Sequence, residues 1–141
     1  MKFEFKEKTE KQLRSNYNKR QLDNLNNFEN FNEFLVWYNE IEKKCHYCGV
    51  LEVEVQKIVV LGLLSSKRFP LNGLTARGRA RGMWLEVDRC NPNRNYSKDN
   101  CVLACYFCNN DKSDVFDGKD YIDFFQNRAE FLKQLLNNYY E

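Results

Sequence analysis

Four cysteines stand in two pairs of identical spacing, Cys45/Cys48 and Cys105/Cys108. A Cys-x-x-Cys turn offers two thiolates to one metal ion, and two such turns complete a tetrahedral zinc site with bonds of about 2.3 Å. Thiolate is a soft ligand that favours Zn2+ over Mg2+. The 56 residues between the pairs exceed the roughly 15–20 of a compact zinc ribbon, so a substructure must be inserted between the two halves. Cys90 and Cys101 stand alone and read as small packing residues. The first twenty residues lack the apolar stretch of a signal peptide. A cytoplasmic, reducing location is therefore expected, where disulfides are a poor explanation for the cysteines.

A second group carries oxygen and positive charge. Glu86 and Asp88 lie two apart in Met83–Arg89, a segment with strand character, so their side chains share one face. Two carboxylates inside a basic stretch are costly to bury unless they bind a cation, and oxygen ligands suit Mg2+ or Mn2+. Asn109 follows Cys108 directly, in the first turn of the helix that zinc would hold. Lys112 is three residues on, on the same helix face. A carboxylate, an amide oxygen, an arginine and a lysine at one spot make a phosphodiester site, in which the metal grips phosphate oxygens and the cations offset the developing charge.

Net charge is only +2, yet residues 67–98 hold eight basic and two acidic side chains, and residues 1–23 hold seven basic and four acidic. Arg77, Arg79 and Arg81 fall in the Gly-containing run Thr75–Gly82, with Arg94 in the following turn. Clustered arginines in such a loop suit contact with a phosphate backbone.

These groups need elements to position them. With 141 residues, 43% hydrophobic and 30% charged, the chain reads as a single globular domain. No apolar run approaches the roughly 20 residues that span a bilayer. Leu22, Leu25, Phe28, Phe31, Leu35, Tyr38 and Ile41 recur at helical steps and predict a helix over 21–44. A helix is expected over 52–66, and a loop over 67–82 around Pro70, Gly73, Gly78 and Gly82. Residues 83–89 and 100–104 predict two strands joined by the turn-forming Asn91-Pro92-Asn93-Arg94-Asn95. A short helix is expected from Cys105 to about Phe116. A longer one is expected over 120–140, with Ile122, Phe125, Ala129, Leu132 and Leu136 on one side. The fold class is thus α+β. One domain divides into a basic arm and helix over 1–44, a zinc-bound core over 45–117 and a C-terminal helix over 118–141.

The stretch Leu85-Glu-Val-Asp-Arg-Cys-Asn-Pro92, continued by Tyr96-Ser-Lys-Asp-Asn-Cys-Val-Leu-Ala-Cys-Tyr-Phe-Cys-Asn-Asn-Asp-Lys112 and preceded by Cys45-His-Tyr-Cys-Gly49, resembles the HNH (ββα-metal) endonucleases. It looks most like their small zinc-bearing, PacI-type restriction branch. The resemblance covers about residues 45–116. It implies a ββα-metal core flanked by N- and C-terminal helices. It makes Asp88 and Asn109 the ligands of a catalytic Mg2+ or Mn2+, Asn100 the residue that ties the hairpin loop together, and the four paired cysteines a structural Zn2+ site. Glu86 stands where some relatives carry a further acid.

One position departs from the family pattern. The usual general-base histidine after the aspartate is Arg89 here, and arginine stays protonated and accepts no proton. Its expected role is to clamp phosphate beside the metal. Relatives with Asp-Arg imply a tyrosine at the site. Tyr96 is the first candidate base, and Tyr47 and the sole histidine, His46, are the others. A phenol with its ordinary pKa near 10 would need Arg89 or the metal to lower it.

Two function classes follow. One is a Mg2+-dependent endonuclease, of a restriction or phage-related kind, that hydrolyses DNA to 5′-phosphate and 3′-hydroxyl ends. The other is a zinc-stapled nucleic-acid-binding module with a degenerate active site. Asp88, Asn100, Asn109 and Lys112 together favour the enzyme, because a binding module needs no such set. Duplex DNA is the expected partner, although phosphate contacts alone do not separate DNA from RNA. A homodimer is expected where both strands are cut, since one site cuts one strand.

Overall fold

A computed structural model describes residues 3–124 and 128–140. The first helix, α1 (Glu10–Leu22), lies where only a basic arm was expected. Its start is a reciprocal cap. The Gln12 backbone N–H donates to Thr9 Oγ1 at 3.2 Å, and the Thr9 N–H donates to Gln12 Oε1 at 2.8 Å.

The helix expected over 21–44 is broken. Helix α2 spans only Phe31–Glu40, and Leu22, placed on the expected apolar stripe, is 86% exposed. Two local signals interrupt the pattern. Asn24 adopts φ 58°, a left-handed conformation tolerated by asparagine. Asn30 Oδ1 accepts the Glu33 N–H at 2.9 Å and starts a new helix. The intervening backbone bonds to the hairpin turn instead: Asn27 N–H donates to the Tyr96 carbonyl at 2.7 Å, and Tyr96 N–H to the Leu25 carbonyl at 2.8 Å. Phe28, Phe31 and Phe34 then pack with Tyr17 of α1 in a cluster of tilted and edge-on rings.

Helix α3 (Glu52–Val60) stops short of the expected residue 66, just before Gly62 at φ 69°. Residues 67–82 form the expected loop. The hairpin follows, with β1 (Glu86–Arg89) antiparallel to β2 (Cys101–Ala104) and Asp88 opposite Val102. Strand β1 begins later than expected because the backbone before it is bound elsewhere. Leu85 N–H donates to the buried Glu52 carboxylate at 3.0 Å.

Helix α4 (Tyr106–Lys112) packs against β1 and ends at Ser113, φ 52°. The single helix expected over 120–140 is two, α5 (Gly118–Phe124) and α6 (Arg128–Tyr140). Of its expected apolar face, Leu132 and Leu136 are buried on α6, which lies against α3. Ile122 is exposed, and the fully buried Tyr121 takes its place. Phe125 and the side chain of Ala129 lie outside the described residues. The two helices flank an α+β core, and no described helix is long and apolar enough to cross a membrane.

Glu52 carries a testable consequence. Burial is the largest influence on its carboxyl and raises it above the ordinary glutamate range, against the opposing pull of the Leu85 N–H, Lys43 and Lys8. A folded pKa above the unfolded one means that this stability contribution is complete below the unfolded value and is lost as pH rises through the folded value. Glu52→Gln keeps an acceptor for Leu85 without the charge. Its stability relative to wild type should therefore improve between pH 4 and pH 7.5 in urea melts. A pH-independent difference would contradict this account.

Candidate functional site

The cysteine knuckle and the hairpin are locked together by backbone. Gly49, at φ 80°, closes the knuckle turn and donates its N–H to the Cys45 carbonyl at 2.9 Å. His46 N–H donates to Leu103 in β2 at 2.8 Å, which brings the first pair to the second. The four Sγ atoms of Cys45, Cys48, Cys105 and Cys108 lie within 4.8 Å of one another, with Cys48 and Cys105 3.8 Å apart. A tetrahedron with bonds of about 2.3 Å has edges of about 3.8 Å, so the donor set fits one Zn2+. All six cysteines are free thiols. Three of the four ligands are buried, and Cys105 also caps α4 by accepting the Cys108 N–H at 3.4 Å. A metal held there would fix the helix that carries Asn109 and Lys112. Cys101 is buried in the core, as a packing residue should be, and burial pushes its thiol up to about 12.

The two acids on β1 have different surroundings. Glu86 takes a two-pronged contact from Arg81, at 2.9 and 2.6 Å, and accepts Asn109 Nδ2–H at 2.8 Å. Asp88 is buried. Its Oδ2 accepts the Tyr47 hydroxyl and lies 3.3 Å from Lys112 Nζ. Burial is the largest influence on Asp88 and raises its carboxyl, while Tyr47, Lys112 and Arg89 pull it back. Asp88 Oδ1 and Asn109 Oδ1 accept no hydrogen bond from the described residues. These hard oxygen donors suit a Mg2+ or Mn2+ ion.

Lys112 differs from expectation. It is 0% exposed, and its Nζ donates to the Arg89 carbonyl at 2.9 Å. A cation so enclosed reaches no substrate; it neutralises Asp88 and braces the end of β1. Asn100, 2% exposed, accepts the Asn91 N–H at 2.9 Å and donates to the carbonyls of Asn91, Arg94 and Asn95 at 3.1–3.3 Å. It too acts through backbone rather than on a ligand.

Tyr96 lies against two cations, with the Arg89 guanidinium 5.1 Å and the Arg20 guanidinium 5.0 Å from its ring centre. Burial outweighs their pull and raises its phenol above the ordinary value. Tyr47 is raised as well, by burial and by its bond to Asp88. Neither phenol is therefore a resting phenolate at neutral pH. His46 is exposed on the knuckle and packs edge-on to Tyr47, with ring centres 5.2 Å apart.

The basic loop divides by role. Arg79 is part of the loop's own scaffold, donating to the carbonyls of Phe69 at 3.2 Å and Ser66 at 3.5 Å. Arg81 is engaged by Glu86 and lies over the Tyr106 ring at 4.7 Å. Arg77 is exposed and makes no side-chain hydrogen bond or ion pair with the described residues. Arg94 is exposed and pairs with Asp99 at 3.0 Å.

Sequence reasoning did not place α1 at this site. A cleft of ≈ 490 Å³ runs between α1 and β1, and Lys8, Lys19 and Arg20 line it together with Arg81, Glu86 and Asn109. The signal in the sequence was the basic excess of residues 1–23, with no indication of which face it would meet.

No known family model matches the chain, and no curated protein does. Among solved structures it matches the rare-cutting HNH restriction endonuclease PacI, described for its mechanism of DNA perturbation. Identity is 26%, over 86% of this chain and 74% of that one, with a TM-score of 0.59. This likeness relates the chain, with its α+β fold, to the HNH endonucleases.

Proposed function

We propose that this HNH-related chain is a metal-dependent endonuclease that hydrolyses phosphodiester bonds of DNA. The observation that carries the reading is that α4, which starts at the four-cysteine cluster and carries Asn109, packs against β1, which carries Asp88. Asp88 and Asn109 would hold Mg2+ or Mn2+, and the ion would supply Lewis-acid stabilisation of the phosphate. Lys112 and Tyr47 hold the Asp88 carboxylate in place, and Asn109 is oriented through Glu86. Arg89 is the permanent cation of the site and clamps the phosphate, as a group that offsets charge in the transition state. Arg77 and Arg94 on the outer surface would contact backbone phosphates. One such site cuts one strand, so double-strand cleavage needs a second copy.

Plasmid nicking is the test. Purified protein should convert supercoiled plasmid to nicked circles with Mg2+ or Mn2+, and not without added divalent ion. An intact plasmid under all divalent-ion conditions, with DNA binding retained, would favour the binding-module reading.

Within this mechanism two substitutions separate roles. Arg89→Ala should reduce single-turnover nicking by about 10²–10³-fold, the usual effect of removing one charge-stabilising group, with the Mg2+ concentration dependence unchanged. Tyr96→Phe should keep most activity from pH 6 to 9, because burial already holds its phenol protonated. A large loss in Tyr96→Phe would restore it as the base.

A further inference from the structure

Lys19 and Arg20 of α1, and Lys8 just before it, have no hydrogen-bond or ion-pair partner among the described residues. Arg20 is held by rings and not by acceptors. Its guanidinium lies 5.1 Å from the Phe34 ring centre and 5.0 Å from that of Tyr96, and it makes no hydrogen bond to the described residues. Its Nη2 is shut off from solvent with no partner among the described residues, and a buried donor left unsatisfied is costly. The two rings hold the guanidinium in the cleft wall, and its nitrogens make no hydrogen bond to the described residues.

Lys8 is fixed in the same cleft by the arm before α1. Two residues earlier, the Lys6 backbone pairs with the fully buried Gln56 side chain, at 2.8 Å to Oε1 and 2.9 Å from Nε2. Trp84 Nε1–H also donates to the Lys6 carbonyl, at 2.8 Å. Lys8 and Lys19 make no side-chain hydrogen bond or ion pair with the described residues. The one carboxylate on the cleft's β1 wall, Glu86, is already engaged by Arg81. Burial lowers the Lys8 ammonium, and Arg20 lowers it further by like-charge repulsion, although Glu86 and Glu52 oppose this. Three cations thus share a concave site whose lining carboxylate, Glu86, is bound to Arg81. An anion entering it would relieve their repulsion and satisfy their donors.

We propose that this cleft is a second phosphate subsite, in which Arg20, Lys8 and Lys19 hold a backbone phosphodiester next to the one bound at Asp88. The cleft shares Glu86 and Asn109 with the Asp88 face, and the Tyr96 ring joins Arg20 to Arg89. A strand leaving the Asp88 centre therefore meets α1 directly. The subsite rests on the endonuclease reading and extends it: α1, which lies outside the ββα core, takes part in gripping the strand being cut.

The experiment is fluorescence anisotropy of a labelled duplex with the full-length protein in Ca2+, across a salt series, with nicking in Mg2+ measured in parallel. Lys8→Gln/Lys19→Gln should weaken duplex binding about tenfold and flatten the slope of log affinity against log salt by about one unit, the release expected for one phosphate contact. Arg20→Gln should weaken binding similarly. The lysine pair keeps the test sound if loss of ring stacking unfolds Arg20→Gln. An unchanged slope in the lysine variant, with wild-type protein that binds and nicks, overturns the subsite and leaves the endonuclease reading intact. Wild-type protein that neither binds nor nicks overturns both. A thermal-shift series with inorganic phosphate separates the other source of the same chemistry. Stabilisation of wild type that is lost in the variants, with the duplex salt slope unchanged, would assign the cleft to free phosphate and overturn its role on nucleic acid.

Discussion

Cys105→Ser is expected to yield protein with almost no bound zinc and no cooperative thermal transition. Cys105 is fully buried, starts α4 and lies 3.8 Å from Cys48. Serine offers a hard, poorly ionised hydroxyl where a soft thiolate is needed. Structural zinc contributes about 10–16 kcal/mol in small zinc-dependent folds, which is as large as the roughly 5–15 kcal/mol net stability of a typical domain. The centre joins the knuckle to α4 across 56 intervening residues, so its loss should release both. Metal analysis with circular dichroism on heating checks this. Zinc near one per chain and an unchanged melting temperature in Cys105→Ser would remove the metal centre from the account. Wild-type protein stripped by a strong chelator should behave like the variant, and added Zn2+ should restore it better than Mg2+.

Asp88→Asn is expected to lower single-turnover nicking by at least about 10³-fold while zinc content stays at the wild-type level. Loss of a charged ligand forfeits several kcal/mol of metal-borne stabilisation, and about 4 kcal/mol corresponds to a thousandfold in rate. The isostere is chosen for a structural reason. Asp88 is the buried partner of Lys112, which is fully enclosed, and stranding a buried charge costs about 3–5 kcal/mol. Asparagine keeps an acceptor for Tyr47 and Lys112, so the variant should fold with reduced stability, whereas Asp88→Ala risks unfolding. Zinc content is the readout that separates the two proposed metal sites, because a chelator would act on both. Asp88→Asn nicking within tenfold of wild type would place the catalytic centre elsewhere.

The cysteine cluster and the hairpin were legible because both are written in short spacing. Two Cys-x-x-Cys turns name a tetrahedral thiolate site, because the turn itself brings each pair of sulfurs together. Glu86 and Asp88 share a strand face by the period of the strand, and the turn-forming residues after Cys90 announce the hairpin that Asn100 secures. The break of the expected 21–44 helix was also local, in Asn24 and Asn30, but the apolar periodicity masked it.

What each charged group does was decided only by the tertiary structure. Lys112 and Arg89 have the same formal charge, yet one is sealed against Asp88 and the other lies against Tyr96. Of the three arginines in Thr75–Gly82, Arg79 holds its own loop and Arg81 holds Glu86, leaving Arg77 to solvent. The placement of α1 depends on partners far along the chain: Asn27 with Tyr96, and Lys6 with Gln56 and Trp84, separations of 50 and 78 residues for the latter two. A side chain's type and spacing set which bonds it can make. Which of those bonds forms depends on the burial and the neighbours that folding supplies, and a charge is worth something different in each setting.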